Sequence, residues 1–315
     1  RDTKILKLDI ANKVATLSDK QQVCYEKALL AIGVRPFVPP IAGLKHAEHV
    51  FTFHDLLDTE KIQNFIKFFR PKNVVVIGAG LTGLECADAL WRLGLQVSIV
   101  ECGPQLLGKL VDSAGAAFLK NHIEQLGVKI ELNACVSEID TQNIICDSGK
   151  ILPADLIIIA TGVRPNHLEI QGGELKYLDH YVSVDCHLQT NLPDIWAAGD
   201  LIVVPDLLTG RPTPTCSWPD AMFQGNLAAA NMAGFAKAFP GLLSVAKSHF
   251  FSKEFVSFGQ VVDNISLNQI NQTVDSYQKI VLNEEKIVQA ALLIGDISAF
   301  SDLKRAALFK LALKS

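Results

Sequence analysis

Asn73-Val74-Val75-Val76-Ile77-Gly78-Ala79-Gly80-Leu81-Thr82-Gly83 is the stretch whose reading decides the fold. Asn73 to Ile77 is an apolar run without alternation, the pattern of a strand covered on both faces. G-x-G-x-x-G follows it directly, and Leu84 to Leu93 reads as a helix ended by Gly94. Gln96 to Val100 is a second buried strand, so the whole is one βαβ unit of a parallel sheet. Gly78 permits the tight turn, Gly80 lets a pyrophosphate approach the backbone, and Gly83 lets helix pack closely on strand. Leu81 and Thr82 complete the loop, whose amides and helix dipole suit phosphate.

Glu101 closes the second strand, at the spacing of an acid that binds a ribose diol. A carboxylate there accepts both ribose hydroxyls of NADH and repels the 2′-phosphate of NADPH. At about 4 Å and an effective dielectric of about 20 that repulsion is about 4 kcal/mol before screening. Half of it discriminates about thirtyfold. Cys102-Gly103-Pro104 follows with no arginine to offset it, so NADH is expected over NADPH.

Outward from this unit, Ala114 to Gln125 predicts a further helix, with Gly127 beyond its end. Strands are expected at Val128–Leu132, Val136–Ile139, Asn143–Cys146 and Leu156–Ala160. Upstream, Ile5–Ile10, Val14–Leu17 and Ala28–Ile32 suggest an antiparallel meander, followed by a crossover rich in proline (Pro36, Pro39, Pro40) and a helix over Thr59–Phe69. Downstream come a strand-rich region from Leu178 to Asp200 and a helix over Ala221–Phe235. Strands at Ser257–Val262, Lys279–Leu282 and Ile287–Ile294 and a helix from Ser301 then predict a small α+β domain.

The 315 residues suggest about two domains, and 49% hydrophobic with 20% charged residues is ordinary for a globular protein. A net charge of −4 gives no electrostatic reason to expect nucleic acid or an anionic membrane. No apolar run is long enough to span a bilayer, and no signal peptide is visible behind Arg1. The seven cysteines are dispersed, without C-x-x-C, and read as reduced thiols in a reducing compartment, with the cytoplasm as default. His46 and His49 lie in a loop without further ligands, so no metal site is expected.

Thr190 to Asp200, Thr-Asn-Leu-Pro-Asp-Ile-Trp-Ala-Ala-Gly-Asp, is a second motif, with Gly199-Asp200 at a strand's carboxyl end, where α/β folds bind ligands. Ala160-Thr161-Gly162-Val163-Arg164-Pro165 has an earlier counterpart in Ala31-Ile32-Gly33-Val34-Arg35-Pro36, where Ile32 stands in place of the usual Thr. These motifs, in this order, resemble the FAD- and NAD(P)-binding pyridine nucleotide oxidoreductases, flavoproteins with two dinucleotide-binding domains. The resemblance covers nearly the whole chain. It implies two interleaved doubly wound, Rossmann-like α/β domains and a small C-terminal α+β domain. The FAD domain would comprise residues 1–52 and 168–245, the NAD domain 53–167 and the cap 246–315.

The same resemblance gives Asp200, beside Gly199, to the ribityl chain of FAD, and Ala31, Gly33, Arg35 and Gly162 to the links that touch cofactor. Ser217-Trp218-Pro219 with Gln224-Gly225 is similar to NADH-dependent acceptor reductases such as rubredoxin reductases and the flavin portion of NADH-nitrite reductase. Trp218 would lie near the isoalloxazine and Glu85 beside the nicotinamide. The implied activity is hydride transfer from NADH to FAD, then electron transfer to rubredoxin, ferredoxin or an iron–sulfur partner subunit. An NADH oxidase or peroxidase, a CoA-disulfide reductase using an upstream cysteine, and an NADH-sensing signalling flavoprotein are the alternatives. A homodimer is compatible with all of them. No His follows His249, so the acid–base pair of glutathione reductase-type enzymes is missing. The family's FAD fingerprint lies upstream of the region matched by Arg1, so this chain alone is expected to bind FAD poorly.

Overall fold

A computed structural model describes residues 3–214, 216–261, 263 and 267–312, and the chain divides into two compact units. One comprises 1–35 and 163–244, the other 36–162 and 245–315. Arg1, Asp2, Val262 and the last three residues, which the sequence reading included in a domain or a strand, lie outside the described residues.

The second unit carries the βαβ motif. Its central sheet is wholly parallel, in the order Val50–Thr52, Leu156–Ile159, Asn73–Ile77, Gln96–Val100, Lys129–Glu131. Asn73–Ile77 sits mid-sheet, and Val74, Val75 and Val76 are fully buried, which is why this run shows no alternation. Val50–Thr52, just before the expected boundary at 53, is an edge strand of this sheet. Leu81–Arg92 connects Asn73–Ile77 to Gln96–Val100, and Ser113–Gln125 lies between Gln96–Val100 and Lys129–Glu131. The first begins three residues earlier than expected, because Gly80 is extended (ψ −177°) and acts as its N-cap, making Leu81, Thr82 and Gly83 its opening turn.

From Val245 the chain forms an antiparallel sheet in the order Val245–Phe250, Lys253–Phe258, Val288–Ile294, Tyr277–Leu282, Asn268–Gln272, closed by the helix Phe300–Leu308. This segment was read as a domain of its own. Its Phe251, Phe255, Tyr277 and Leu292 share one apolar core with Leu84, Leu119 and Ile123 of the parallel fold.

In the first unit Ile5–Asp9, Val14–Leu17 and Gln22–Cys24 form the meander, with Glu169–Gln171 added in parallel. Ala28–Leu30 does not join it, contrary to expectation. It pairs in parallel with Ile195–Ala197, a short strand buried throughout, against which Leu30 is buried and Ala28 and Leu29 half-buried. Tyr177–Leu178, Tyr181–Ser183, Ile202–Pro205 and Pro212–Pro214 make a further sheet. The helix Trp218–Met232 starts at Trp218, capped by Ser217, whose hydroxyl accepts the Asp220 amide. Among the described residues, no helix is long and apolar enough to cross a membrane.

Candidate functional site

The glycines of the fingerprint differ in what surrounds them. Gly78 has φ +108°, a left-handed conformation that glycine tolerates, and a Cβ there would lie 2.4 Å from the Ala160 carbonyl oxygen. A Cβ on Gly83 would lie 2.1 Å from the Gly78 carbonyl oxygen. Both are glycines because the turn, the helix and the neighbouring strand meet there. Gly80 is different: a Cβ would meet nothing within 4 Å. It faces open space as the N-cap of a twelve-residue helix whose start has no side-chain cap, which is room for a phosphate to approach the amides of the first turn.

Glu101 stands at the carboxyl end of the adjacent strand. Its Oε2 accepts the Ala79 amide at 2.8 Å and its Oε1 the Gly103 amide at 2.7 Å. A carboxylate offers about four lone-pair sites, so two remain for a diol while the group is held by backbone. Neither amide partner follows from the sequence pattern. They come from the parallel register of Ile77 beside Val100 and from the bend at Cys102-Gly103. Gly162 (φ +96°) ends the strand on the other side, and Thr161 donates its hydroxyl to the Phe37 carbonyl. The row Gly78, Gly80, Leu81, Thr82, Gly83, Glu101 and Gly162 therefore lies along the carboxyl edge of one sheet, as ligand sites in such folds do. Glu85, one turn further along the helix, is exposed and accepts a hydrogen bond from the Ser248 hydroxyl of the antiparallel sheet.

A second set of the expected residues assembles in the first unit. Ala31 and Gly199 follow the paired strands Ala28–Leu30 and Ile195–Ala197, and the Ala198 amide reaches the Leu30 carbonyl at 3.1 Å. Gly33 (φ +62°) accepts the Asn166 amide, and Arg35 donates to the Pro165 carbonyl at 2.9 Å, so both copies of the Gly-Val-Arg-Pro link are stitched together. Asp200 sits half-buried in the 3₁₀ turn Gly199–Leu201. Gln224, fully buried, accepts the Gly199 amide at 2.7 Å, and its Nε2 has no hydrogen-bond partner among the described residues. It fixes the loop that presents Asp200. Trp218, 77% exposed, opens the helix that carries Gln224.

The cysteines depart from expectation. Cys102 and Cys135, 33 residues apart, are joined as a disulfide with Cα atoms 4.6 Å apart. No C-x-x-C spacing signals this pair, because the sheet and not the sequence brings the two loops together. Cys86 is a buried core thiol, pushed up to about 12 by loss of solvation.

A doubly wound fold with a glycine turn, an amide-held acid on the next strand and a second Gly-Asp turn defines a dinucleotide-binding protein. Residues 2–225 match the family described as "Pyridine nucleotide-disulphide oxidoreductase", and the chain belongs to it. It is 32% identical over 276 residues to an NADH oxidase of Methanocaldococcus jannaschii, covering 85% of this chain and 61% of that protein. It is likewise 32% identical to the epsilon subunit of an NADH-dependent phenylglyoxylate dehydrogenase of Aromatoleum evansii, covering 78% and 58%. The structure of a NAD-dependent persulfide reductase from A. fulgidus superposes with TM-score 0.86 at 25% identity, over 99% of this chain and 62% of that one. The chain thus spans about three fifths of the length of these relatives.

Proposed function

We propose that this chain is the NADH-binding and electron-relaying part of an FAD-dependent oxidoreductase that passes electrons from NADH to an acceptor. The observation that carries the reading is Glu101, pinned by the Ala79 and Gly103 amides next to the open side of Gly80. The amides of Leu81 and Thr82 bind the pyrophosphate, and Glu101 accepts the ribose diol and excludes a 2′-phosphate. Glu85 borders the nicotinamide end. In the first unit Asp200 accepts a ribityl hydroxyl, with Ala31, Gly33 and Arg35 in the accompanying link, and Trp218 covers the flavin ring. FAD supplies a hydride acceptor that can release electrons singly or in pairs. The chain's own contribution is to bind and orient each dinucleotide.

The acceptor in this proposal is an electron carrier or partner subunit, such as rubredoxin, ferredoxin or an iron–sulfur protein. The name of one relative, the epsilon subunit of a dehydrogenase, favours it. Reduction of a disulfide or persulfide is the second reading, favoured by the likeness to a persulfide reductase. The proposed setting is the cytoplasm.

Anaerobic reduction of the full-length flavoprotein by NADH, then reoxidation in parallel by rubredoxin, oxygen, CoA-disulfide and persulfide, separates the two. Faster reoxidation by rubredoxin than by the sulfur acceptors is expected. A kcat/KM for NADPH equal to that for NADH would defeat the Glu101 assignment.

A further inference from the structure

The Cys102–Cys135 disulfide lies against the proposed ribose acid. Cys102 immediately follows Glu101, and the next residue, Gly103, gives its amide to Glu101 Oε1 at 2.7 Å. The loop carrying Cys135 meets the same stretch: the Ala134 amide donates to the Glu101 carbonyl at 3.0 Å and the Asn133 amide to the Gly103 carbonyl at 2.9 Å. Cys102 is exposed and Cys135 half-buried, so the bond is open to a reductant from the Cys102 side.

The geometry points to a reversible thiol–disulfide modification site that sets the affinity for NADH, with the oxidised form binding more tightly. This inference rests on the reading of Glu101 as the ribose acid. Two of that carboxylate's acceptor sites are used by the Ala79 and Gly103 amides. The diol binds with least reorganisation when those amides stay in place. The Ala79 amide belongs to the rigid glycine turn. The Gly103 amide belongs to a loop outside the strand, held by two backbone hydrogen bonds and by the disulfide. Opening the disulfide returns conformational freedom to that loop and leaves more of it to be ordered when the nucleotide binds.

The co-reactant is a dithiol. One of its thiolates attacks the exposed Cys102 sulfur, the S–S bond breaks, and Cys135 leaves as a thiolate that takes up a proton. The second thiolate of the dithiol then attacks the mixed disulfide and frees Cys102 as a thiol. Two electrons pass from the dithiol to the cystine, and the dithiol departs as a disulfide. Reoxidation runs the same exchange backwards with a disulfide oxidant.

The test uses the full-length protein, oxidised with diamide or reduced with dithiothreitol and then desalted, with the Cys102 and Cys135 peptides mapped by alkylation and mass spectrometry. The probe is ADP-ribose, which carries the adenosine ribose and pyrophosphate and no hydride, titrated by calorimetry. About fivefold tighter binding to the oxidised form is expected. Cys135→Ser, and independently Cys102→Ala, should bind like the reduced form whatever the treatment. Equal affinity in the two states, with the disulfide shown formed in one and cleaved in the other, would overturn the inference. So would recovery of both cysteines as free thiols after diamide. Glu101→Ala keeps the two readings apart. If it leaves ADP-ribose affinity unchanged, the ribose assignment itself fails. If it weakens binding while redox state has no effect, only the switch fails.

Discussion

Single residues carry most of the chemistry, and two glycines three positions apart show how differently they do so. A methyl group at 83 meets a backbone carbonyl at 2.1 Å, and one at 80 meets nothing. Gly83→Ala is therefore expected to cost about 1–3 kcal/mol of stability through overpacking, visible as a lowered Tm. Gly80→Ala should cost no more than about 1 kcal/mol, as a weaker N-cap, yet abolish most ADP-ribose binding, because its methyl occupies the space left for phosphate. Equal losses of stability in the two variants would show that the roles have been misassigned. The close contact at Gly83 and the open space at Gly80 follow from the spacing behind a buried strand, which is where sequence alone could place them. Gln224, Gly103 and the Cys102–Cys135 pair were not assigned. Their partners are set by register and loop approach across the fold, to which spacing along the chain is blind.

Elements were legible where an apolar run without alternation marks a strand covered on both faces, as in Asn73–Ile77 and Gln96–Val100, which match the expected ranges. The starts of the helices at Leu81 and Trp218 were missed by three residues each. Their first turns hold Thr82, Gly83 and Pro219, residues that punctuate as readily as they begin a helix. Two charged contacts fasten elements together within the second unit. Asp155 accepts the Lys72 and Asn73 amides at 2.9 and 2.8 Å, which anchors the start of the central strand, and these bonds, the Asn73 amide foremost, lower its pKa. A depressed carboxylate stabilises the fold above the unfolded value of about 3.9 and ceases to do so as pH falls through the folded value. Asp155→Asn should flatten the acid limb of a stability–pH curve below about pH 4 and leave its slope at neutral pH unchanged. Asp112 is more deeply committed. It caps the helix Ser113–Gln125 through the Gly115 amide and accepts from Tyr277 at 2.7 Å and from Lys279 at 2.8 Å, all in the interior. Asp112→Ala takes the carboxylate away from a buried ammonium and should cost about 3–5 kcal/mol in denaturant unfolding, while pairing it with Lys279→Met recovers a substantial part. No recovery in the double variant would mean that the cap and the Tyr277 hydroxyl, and not the ion pair, dominate.

At the scale of the whole molecule, the chain crosses between its two units after residues 35, 162 and 244. The expectation of two interleaved dinucleotide folds came from motif order. The fusion of the C-terminal segment with one of them did not, because the contacts that fuse them join residues more than a hundred positions apart. Leu292 packs against Gly115, where an added Cβ would come within 2.8 Å of its Cδ2, and Tyr277 lies on the same glycine, 3.2 Å from that Cβ. The helix Ser113–Gln125 thus has one face on the parallel sheet and another on the antiparallel one, with Leu119 and Ile123 fully buried between. Burying one such side chain contributes about 1.5–3 kcal/mol, so stripping away residues 245–315 would remove more than a marginally stable fold can lose. A chain ending at Ser244 should lose hydrogen-exchange protection at Leu119 and Ile123 and in the central strand. Ile195–Ala197 should retain theirs, because among the described residues the core around them contains none beyond Leu242. Such a truncated protein should also fail to bind ADP-ribose, although every residue of the fingerprint is still present. Undiminished protection at Leu119 would mean that the parallel fold is self-sufficient and that the C-terminal sheet only rests upon it.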